Sequence, residues 1–294
     1  MFEKIKADFL FQKLLKRPDI DQAYKMVGPE DSWYDTITKV HNALAEIRKL
    51  PHEEVEIKSH DGLLLKGLYY PGTTDKTMIW IHGYTSHAER ESAFPGLFYH
   101  SLGYNVLIPY LRAHGISEGK YIAFGALEYR DMMEWVEKVN EYHPQGSIVF
   151  HGLSMGGGVA LDLAIQEMKN VKCLVVDAPS YSIGEFFSGV AKFADKKNHE
   201  KVFAHLCNRF RKEFDADPLD FERIKNIKYG RYPLLLSAGS MEEQDEILNQ
   251  IQANNPMDTS IVILPGCNHG NGMYKQTELY QTAIREFLEK NMMR

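Results

Sequence analysis

The stretch Phe150-His-Gly-Leu-Ser-Met-Gly-Gly-Gly158 sets one serine among four glycines, directly after an apolar run. Residues 146–150 are typical of a short buried strand, and residues 157–167 have a helical pattern. Between them, Gly152-Leu-Ser-Met-Gly156 matches the G-x-S-x-G turn that joins a strand to a helix and exposes its serine. Such a turn needs a strained backbone at the serine, and glycine wherever a side chain would meet the neighbouring strand or helix. We therefore predict that Ser154 is a nucleophile.

Strands and helices alternate on both sides of this turn, which predicts the fold class. A hairpin is indicated first, over residues 54–58 and 63–70. Short apolar strands follow at residues 77–81, 104–109, 146–150, 171–176, 233–237 and 260–264, and helical patterns cover residues 86–102, 127–139 and 274–290. Continuous apolar strands separated by helices predict an α/β protein with a parallel sheet covered on both faces.

Two segments fall outside this alternation and define the domain organisation. Residues 1–50 are predicted to be a helical N-terminal extension with a break at residues 27–31. Residues 180–230 are rich in aromatic and charged residues and are predicted to be a cap of a few short helices that roofs a pocket. The core is then formed by residues 51–179 and 231–294.

Composition narrows the class of protein. The 294 residues are 44% hydrophobic, carry a formal net charge of -6 and contain no long basic run, so we expect no nucleic-acid partner. Three widely spaced cysteines indicate neither a disulfide framework nor a metal site, and reduced thiols favour a cytoplasmic protein.

The N-terminal segment poses a choice between core packing and membrane binding. No apolar stretch approaches the roughly 20 residues that span a bilayer, so we expect no stable membrane insertion. Five apolar residues fall near helical spacing: Phe2, Ile5, Phe9, Leu10 and Leu14. We favour a helix packed on the main domain over binding to a membrane surface, because Glu3 and Asp8 interrupt the basic residues.

A nucleophilic serine needs a base and an acid that orients the base. In this strand-turn-helix architecture the chain order is serine, acid, histidine. His269 follows the last predicted strand and is the predicted base, because the other two downstream histidines fall in the insert. Three carboxylates follow the strand at residues 233–237, namely Glu242, Glu243 and Asp245. We favour Glu242, the first after the turn, and the other two remain open as charges at a helix start.

An oxyanion is held by two backbone N–H groups. One is predicted at Met155, the residue after the nucleophile, and the other at Tyr84 in the loop Trp80-Ile-His-Gly-Tyr84. Gly83 permits a sharp bend there. His82 is interpreted as a structural residue that fixes the loop and not as a second base.

These motifs, together with Arg112-Ala-His-Gly-Ile-Ser-Glu-Gly119 and Asn268-His-Gly270, make the chain similar to the α/β-hydrolase superfamily from about residue 52 onward. It looks most like the bacterial serine aminopeptidase-like or dienelactone-hydrolase-like branch, many of whose members are esterases. The resemblance implies an eight-stranded, mostly parallel sheet, a cap after the sixth strand and no metal or other cofactor. Relatives usually carry aspartate where Glu242 stands. The first 50 residues fall outside the resemblance and either cover the core or build a homodimer contact.

The function that this resemblance implies is hydrolysis of carboxylic esters through a Ser-His-Glu triad and an acyl-enzyme intermediate. The partner would be a small-molecule ester or amide. A peptidase or amidase with the same triad is the alternative. A catalytically silent ligand-binding protein of the same fold is disfavoured because Ser154 and His269 are both present.

Overall fold

One eight-stranded sheet organises residues 2–19 and 33–292, which are the residues that the computed structural model describes. Its order is β1-β2-β4-β3-β5-β6-β7-β8. The second strand pairs antiparallel with both neighbours, and all other pairs are parallel. The prediction of an eight-stranded, mostly parallel sheet is confirmed. The strands are β1 (Glu53–Lys58), β2 (Leu64–Tyr70), β3 (Lys76–Ile81), β4 (Asn105–Pro109), β5 (Ser147–Leu153), β6 (Val171–Asp177), β7 (Leu234–Gly239) and β8 (Thr259–Leu264).

Helices precede, separate and follow the strands. They are α1 (Phe2–Leu15), α2 (Ile37–Ile47), α3 (Ala88–Ser101), α4 (Glu128–Tyr142), α5 (Met155–Leu163), α6 (Ile183–Ala194), α7 (His199–Phe214), α8 (Arg223–Asn226), α9 (Asp245–Asn254), α10 (Gly272–Lys275) and α11 (Thr277–Asn291). The predicted final helix is divided into α10 and α11 at Gln276. The break predicted at residues 27–31 lies outside the described residues.

Alternate residues of the central strands point to opposite faces of the sheet and build two cores. On β3, Ile79 and Ile81 join a core with α4 and α5, whereas Met78 and Trp80 join a core with α2, α3 and α11. This is the period of two expected for a strand whose two faces are both covered. The helices therefore lie on both faces, as predicted.

The first two helices of the insert between β6 and β7 are longer than the short helices that the sequence predicted. Instead of a few short helices, the insert contains the 12-residue α6 and the 16-residue α7 before the four-residue α8. Along α7 a buried apolar residue recurs at every fourth position, which is the pattern of an amphipathic helix packed on a core. These residues are Val202, Leu206, Phe210 and Phe214. The aromatic side chains of this segment therefore serve largely for packing inside the insert.

A buried arginine joins the insert to the sheet domain. Arg223 at the start of α8 is 2% exposed and places its Nη2 2.7 Å from the Asp162 carboxylate of α5. The same guanidinium donates to the carbonyl oxygens of Phe124 and Ser180. The insert is thus anchored to the helix that follows Ser154.

The first helix packs on the insert. Ala7, Phe11 and Leu15 are buried, and the Phe11 ring lies edge-on to Tyr121 and close to Phe214 of α7. Within residues 2–19 and 33–292, no helix combines the length and the apolar composition needed to cross a bilayer.

Candidate active site

The turn at Ser154 is left-handed and leaves no room for side chains beside it. Ser154 has φ 60° and directly follows β5. A Cβ on Gly152 would lie 2.2 Å from the Gly156 carbonyl oxygen, and a Cβ on Gly156 would lie 1.9 Å from the Ile81 carbonyl oxygen. Both glycines are therefore required sterically, and the strained serine backbone holds its hydroxyl out of the turn.

Helix α5 begins at Met155, two residues before the predicted start at residue 157. Its first turn is Met-Gly-Gly-Gly, and glycine has a poor helix propensity, so the sequence pattern hides this turn. The early start places the helix N-terminus, with its partial positive charge, against the serine.

Hydrogen bonds connect His269 to Ser154 on one side and to Glu242 on the other. His269 Nε2 is 2.9 Å from Ser154 Oγ, and His269 Nδ1 is 2.6 Å from Glu242 Oε2. The carboxyl ends of β5, β7 and β8 bring the three residues together, because parallel strands end at the same edge of the sheet. With Nδ1–H donating to Glu242, Nε2 is free to accept the Ser154 hydroxyl proton.

Electrostatics favour a basic imidazole at this position. The Glu242 side chain is 7% exposed, whereas His269 is 55% exposed. The hydrogen bond to Glu242 is the main cause that raises the pKa of His269, and the nearby charge of Asp177 acts in the same direction. These three residues are the ones favoured from the sequence, and their catalytic roles remain a prediction.

The two other candidate acids lie on the outside of the same loop. Glu242 ends a 3₁₀ turn and also accepts the Gly239 N–H through Oε1 at 2.8 Å. Glu243 has a left-handed backbone, φ 54°, and is exposed, and Asp245 is an exposed residue at the start of α9. The structure therefore places only Glu242, of these three carboxylates, against His269.

The two predicted oxyanion donors lie on loops that meet at the serine. A Cβ on Gly83 would be 3.5 Å from the Ser154 Cβ, so the loop after β3 passes directly beside Ser154. Met155 is the first residue of α5, where N–H groups have no intrahelical acceptor. Across the described part of the chain, neither the Tyr84 nor the Met155 N–H donates to a protein acceptor. Both remain available to a ligand.

Glu91 is a residue that sequence reasoning missed. It lies on α3 next to the loop after β3. Its Oε1 accepts the Gly83 N–H at 2.9 Å and the Trp80 Nε1–H at 3.2 Å. Burial raises the pKa of Glu91 to about 7. A glutamate in the first turn of a helix is common for dipole reasons, so nothing in the sequence distinguished this one.

Asp177, the last residue of β6, was also missed. Its carboxylate accepts hydrogen bonds from Ser237 Oγ and Tyr280 OH, both at 2.9 Å, and its backbone carbonyl accepts the Ser154 N–H at 2.9 Å. Burial raises the pKa of Asp177 to about 6. The available signal was its position, because a carboxylate at the carboxyl end of a central strand lies at the edge where ligands bind.

His82 is placed as the structural interpretation predicts. Its Nε2 accepts the Leu111 N–H at 3.1 Å, and burial lowers its pKa well below the ordinary value. A neutral, fully buried imidazole with a backbone donor on Nε2 connects the loop after β3 to the loop after β4. It has no free nitrogen facing Ser154.

Aromatic rings connect the loop after β3 to the insert. The Tyr84 ring lies 4.9 Å from Phe124, and Phe124 stacks on Phe186 of α6 at 4.6 Å. The Tyr84 hydroxyl donates to the Leu14 carbonyl oxygen at 2.5 Å. The oxyanion loop, the insert and the N-terminal helix therefore meet at these rings.

One cluster in the described residues has the spacing of a metal site: His60, Asp61 and Asp131. The Arg112 guanidinium lies between the two carboxylates, 2.8 Å from Asp61 and 2.6 Å from Asp131. Because this cation already binds both carboxylates, the cluster is explained as an ion-pair network without a metal.

Comparison with known families identifies the chain. Residues 72–242 match the family model described as serine aminopeptidase, S33. The chain belongs to this α/β-hydrolase family. The resemblance drawn from the motifs is thereby confirmed, and the protein is a member of a hydrolase family.

Curated relatives match part of the chain. The uncharacterized protein YqkD of Bacillus subtilis is 33% identical over 123 residues, covering 41% of this chain and 40% of that protein. The multifunctional-autoprocessing repeats-in-toxin of Vibrio vulnificus is 30% identical over 145 residues, covering 45% of this chain and 3% of the toxin. The chain thus spans less than half the length of these relatives.

Solved structures match over nearly the full chain. The esterase Pf2001 of Pyrococcus furiosus superposes with a TM-score of 0.65 and 25% identity, covering 92% of this chain and 97% of that one. An alpha-beta hydrolase from Vibrio vulnificus has a TM-score of 0.62 and 20% identity, covering 95% and 92%. The α/β-hydrolase fold is confirmed.

Proposed function

We propose that this protein is a serine hydrolase that cleaves carboxylic esters through Ser154, His269 and Glu242. The observation that carries the proposal is the unbroken series of hydrogen bonds from Glu242 to His269, at 2.6 Å, and from His269 to Ser154, at 2.9 Å. A nucleophile, a base and an orienting acid in this order are what acyl transfer requires.

The first step forms an acyl-enzyme. His269 Nε2 takes the Ser154 proton while Oγ attacks the ester carbonyl carbon, and Glu242 stabilises the resulting imidazolium. The N–H groups of Tyr84 and Met155 hold the oxyanion, and losing one such donor typically costs about 100- to 1,000-fold in rate. The imidazolium then gives its proton to the leaving alkoxide, and the C–O bond to the alcohol breaks.

The second step releases the acid. His269 removes a proton from a water molecule that attacks the acyl carbon, and the tetrahedral intermediate collapses with return of the proton to Ser154 Oγ. Each step starts and ends with a neutral imidazole. The raised pKa of His269 suits a group that must carry a proton briefly at neutral pH.

Three observations support an ester over a peptide as the substrate. An aminopeptidase needs a free carboxylate to bind the substrate ammonium group, yet the three carboxylates described around this site already accept hydrogen bonds; these are Glu91, Asp177 and Glu242. The rings of Tyr84, Phe124 and Phe186 instead offer an apolar surface for an acyl or aryl group. The full-length structural relative of 25% identity is named an esterase.

A substrate panel tests this proposal. We expect the purified chain to hydrolyse p-nitrophenyl esters of increasing acyl length and to leave aminoacyl p-nitroanilides intact. The Ser154→Ala variant, purified in parallel, controls for contaminating hydrolases. Cleavage of the anilides at rates equal to the esters would identify the amidase alternative. Failure to cleave either class would favour the silent binding protein.

A further inference from the structure

Helix α1 is apolar on two opposite sides, and only one of them is covered. The inner side buries Ala7, Phe11 and Leu15 against the insert. The outer side carries Phe2, 84% exposed, and Ile5 and Phe9, 60% and 64% exposed. A helix that is hydrophobic around its circumference is normally buried on all sides, so the outer side of α1 lacks a partner among residues 2–19 and 33–292.

The charges on the outer side of α1 are basic. Because residues advance about 100° per position along a helix, Lys13 lies on the same side as Ile5 and Phe9. Lys16 directly follows the last residue of the helix. Both lysines are exposed. Asp8 points to a flank of the helix, where its carboxylate lies 4.0 Å from Arg209 of α7. The acidic residues that argued against membrane binding in the linear sequence are therefore separated from this side by the helical geometry.

The end of α6 lies next to α1 and carries another exposed ring. Phe193 at the end of α6 is 93% exposed, the largest value among the exposed large hydrophobic residues described. Two residues later, Asp195 accepts a hydrogen bond from Lys6 Nζ of α1 at 2.6 Å, so the two helices meet there. Lys192 and Lys196 beside Phe193 are exposed. We call the surface formed by Phe2, Ile5, Phe9, Lys13, Lys16, Lys192 and Phe193 the α1–α6 face.

We propose that the α1–α6 face docks the protein reversibly on an anionic lipid surface. Exposed phenylalanines partition into the boundary between headgroups and acyl chains, and lysines beside them attract anionic headgroups. The 14 residues of α1 are too few to span a bilayer, so the protein lies on the surface.

Charge complementarity favours lipid over a second copy of the chain. In a symmetric dimer formed through this face the same patch would meet itself, so the basic side chains of one copy would lie near those of the other, and like charges oppose association. The basic character is local, because the chain as a whole carries a net charge of -6.

Docking would place the lipid surface near the loop after β3, which contains Tyr84. The Leu14 carbonyl of α1 accepts the Tyr84 hydroxyl, and Phe186, which stacks on Phe124, belongs to α6. If the proposed esterase function holds, the ester substrates of this site partition into membranes. The docking itself does not depend on that function.

Vesicle co-sedimentation of the whole chain tests the docking. Wild-type protein is mixed with vesicles of phosphatidylcholine alone or of phosphatidylcholine with phosphatidylglycerol. The double variant Phe9→Ser/Phe193→Ser removes two exposed rings of the face. The control is the double variant Met257→Ser/Leu279→Ser, which removes two exposed apolar side chains outside the α1–α6 face. Leu279 lies on α11, on the opposite side of the sheet.

We expect the wild type to bind the anionic vesicles and to release them at high salt. Loss of the two rings should weaken this binding by about tenfold or more, whereas the control double variant binds as the wild type does. Hydrolysis of a soluble ester by both double variants should equal that of the wild type. This readout separates failure of the docking from failure of the proposed function.

Three outcomes would overturn the proposal. The first is no binding of the wild type to anionic vesicles. The second is equal binding by Phe9→Ser/Phe193→Ser with unchanged circular dichroism, which confirms folding. The third is a wild-type dimer in sedimentation velocity that becomes monomeric in this variant, since the face would then be covered by a second copy.

Discussion

The loops beneath the substrate approach and the helices above it are built by different kinds of contact. We call the loops after β3, β5, β7 and β8 the floor, and α1 with α6, α7 and α8 the roof. In the floor, backbone meets backbone: a Cβ on Gly239 would lie 2.3 Å from the Cys267 carbonyl oxygen, close to the 2.2 Å at Gly152. In the roof, a Cβ on Gly189 would meet nothing within 4 Å.

This difference separates reaction from specificity. At Gly152, Gly156 and Gly239 the floor has backbone where a side chain would lie, so these positions exclude other residues. The roof is held by side chains, such as the Arg223–Asp162 pair and the Lys6–Asp195 pair. We therefore expect the proposed reaction to depend on the floor and the choice of acyl group to depend on the roof.

The largest expected effect is in the floor, at the triad acid. Replacing Glu242 with glutamine keeps the shape but removes the charge that orients His269 and stabilises the imidazolium. We expect kcat/KM to fall by about 1,000- to 10,000-fold. Glu243→Gln and Asp245→Asn are matched controls, because both carboxylates are exposed, and they should stay within about twofold of wild type. A larger loss in either control than in Glu242→Gln would reassign the acid.

The next effect is in the roof, at its buried cation. Arg223→Met leaves Asp162 buried without its partner, which should lower the free energy of unfolding by about 3–5 kcal/mol in a urea titration. Arg211→Met is the control, because the side chains of Arg211 and Asp217 are about one-third exposed, and should cost about 1 kcal/mol or less. Equal losses in the two variants would show that the roof is not anchored through Arg223.

A paired alanine substitution tests the steric contrast directly. Gly156→Ala forces a Cβ against the Ile81 carbonyl oxygen and should displace Ser154, with a loss of about 100-fold or more in kcat/KM. Gly189→Ala lies in α6 with open space around it and should stabilise the protein by about 0.5–1 kcal/mol. Full activity of Gly156→Ala would mean that the floor tolerates side chains as the roof does.

The smallest expected effect is the pH dependence. His269 acts as a base only when neutral, so kcat/KM should fall about tenfold per pH unit as the pH drops below the pKa of His269. Since Glu242 raises this pKa, the wild-type midpoint should lie above the ordinary histidine value, and the residual activity of Glu242→Gln should titrate at lower pH. A midpoint that is the same in both proteins would contradict the pairing of Glu242 with His269.

The floor could be predicted from the sequence because its signals are local. Gly152 and Gly156 flank the serine within five residues, and His269 follows the last strand, so pattern and chain order sufficed. Glu242 could be favoured, but Glu243 and Asp245 stayed open, because the left-handed residue at position 243, which follows the 3₁₀ turn ending at Glu242, carries no sequence signal.

The roof could not be predicted to the same depth because its contacts join distant residues. Arg223 and Asp162 are 61 positions apart, and neither stands out among the charged residues of its segment. In the sequence, the two apolar sides of α1 form a single helical pattern. They become distinct only in the fold, where the insert covers one of them. Glu91 escaped notice for a related reason, since its burial depends on the loop that folds over it.

Labelling with a fluorophosphonate tests the central claim, that Ser154 is made nucleophilic by His269. The reagent is added to the wild-type chain and to Ser154→Ala and His269→Gln, and the site is mapped by mass spectrometry of peptides. We predict one adduct per wild-type chain on Ser154, no adduct in Ser154→Ala, and labelling of His269→Gln slowed by about 1,000-fold or more. An unlabelled wild type, an adduct on another residue, or undiminished labelling of His269→Gln would contradict the claim.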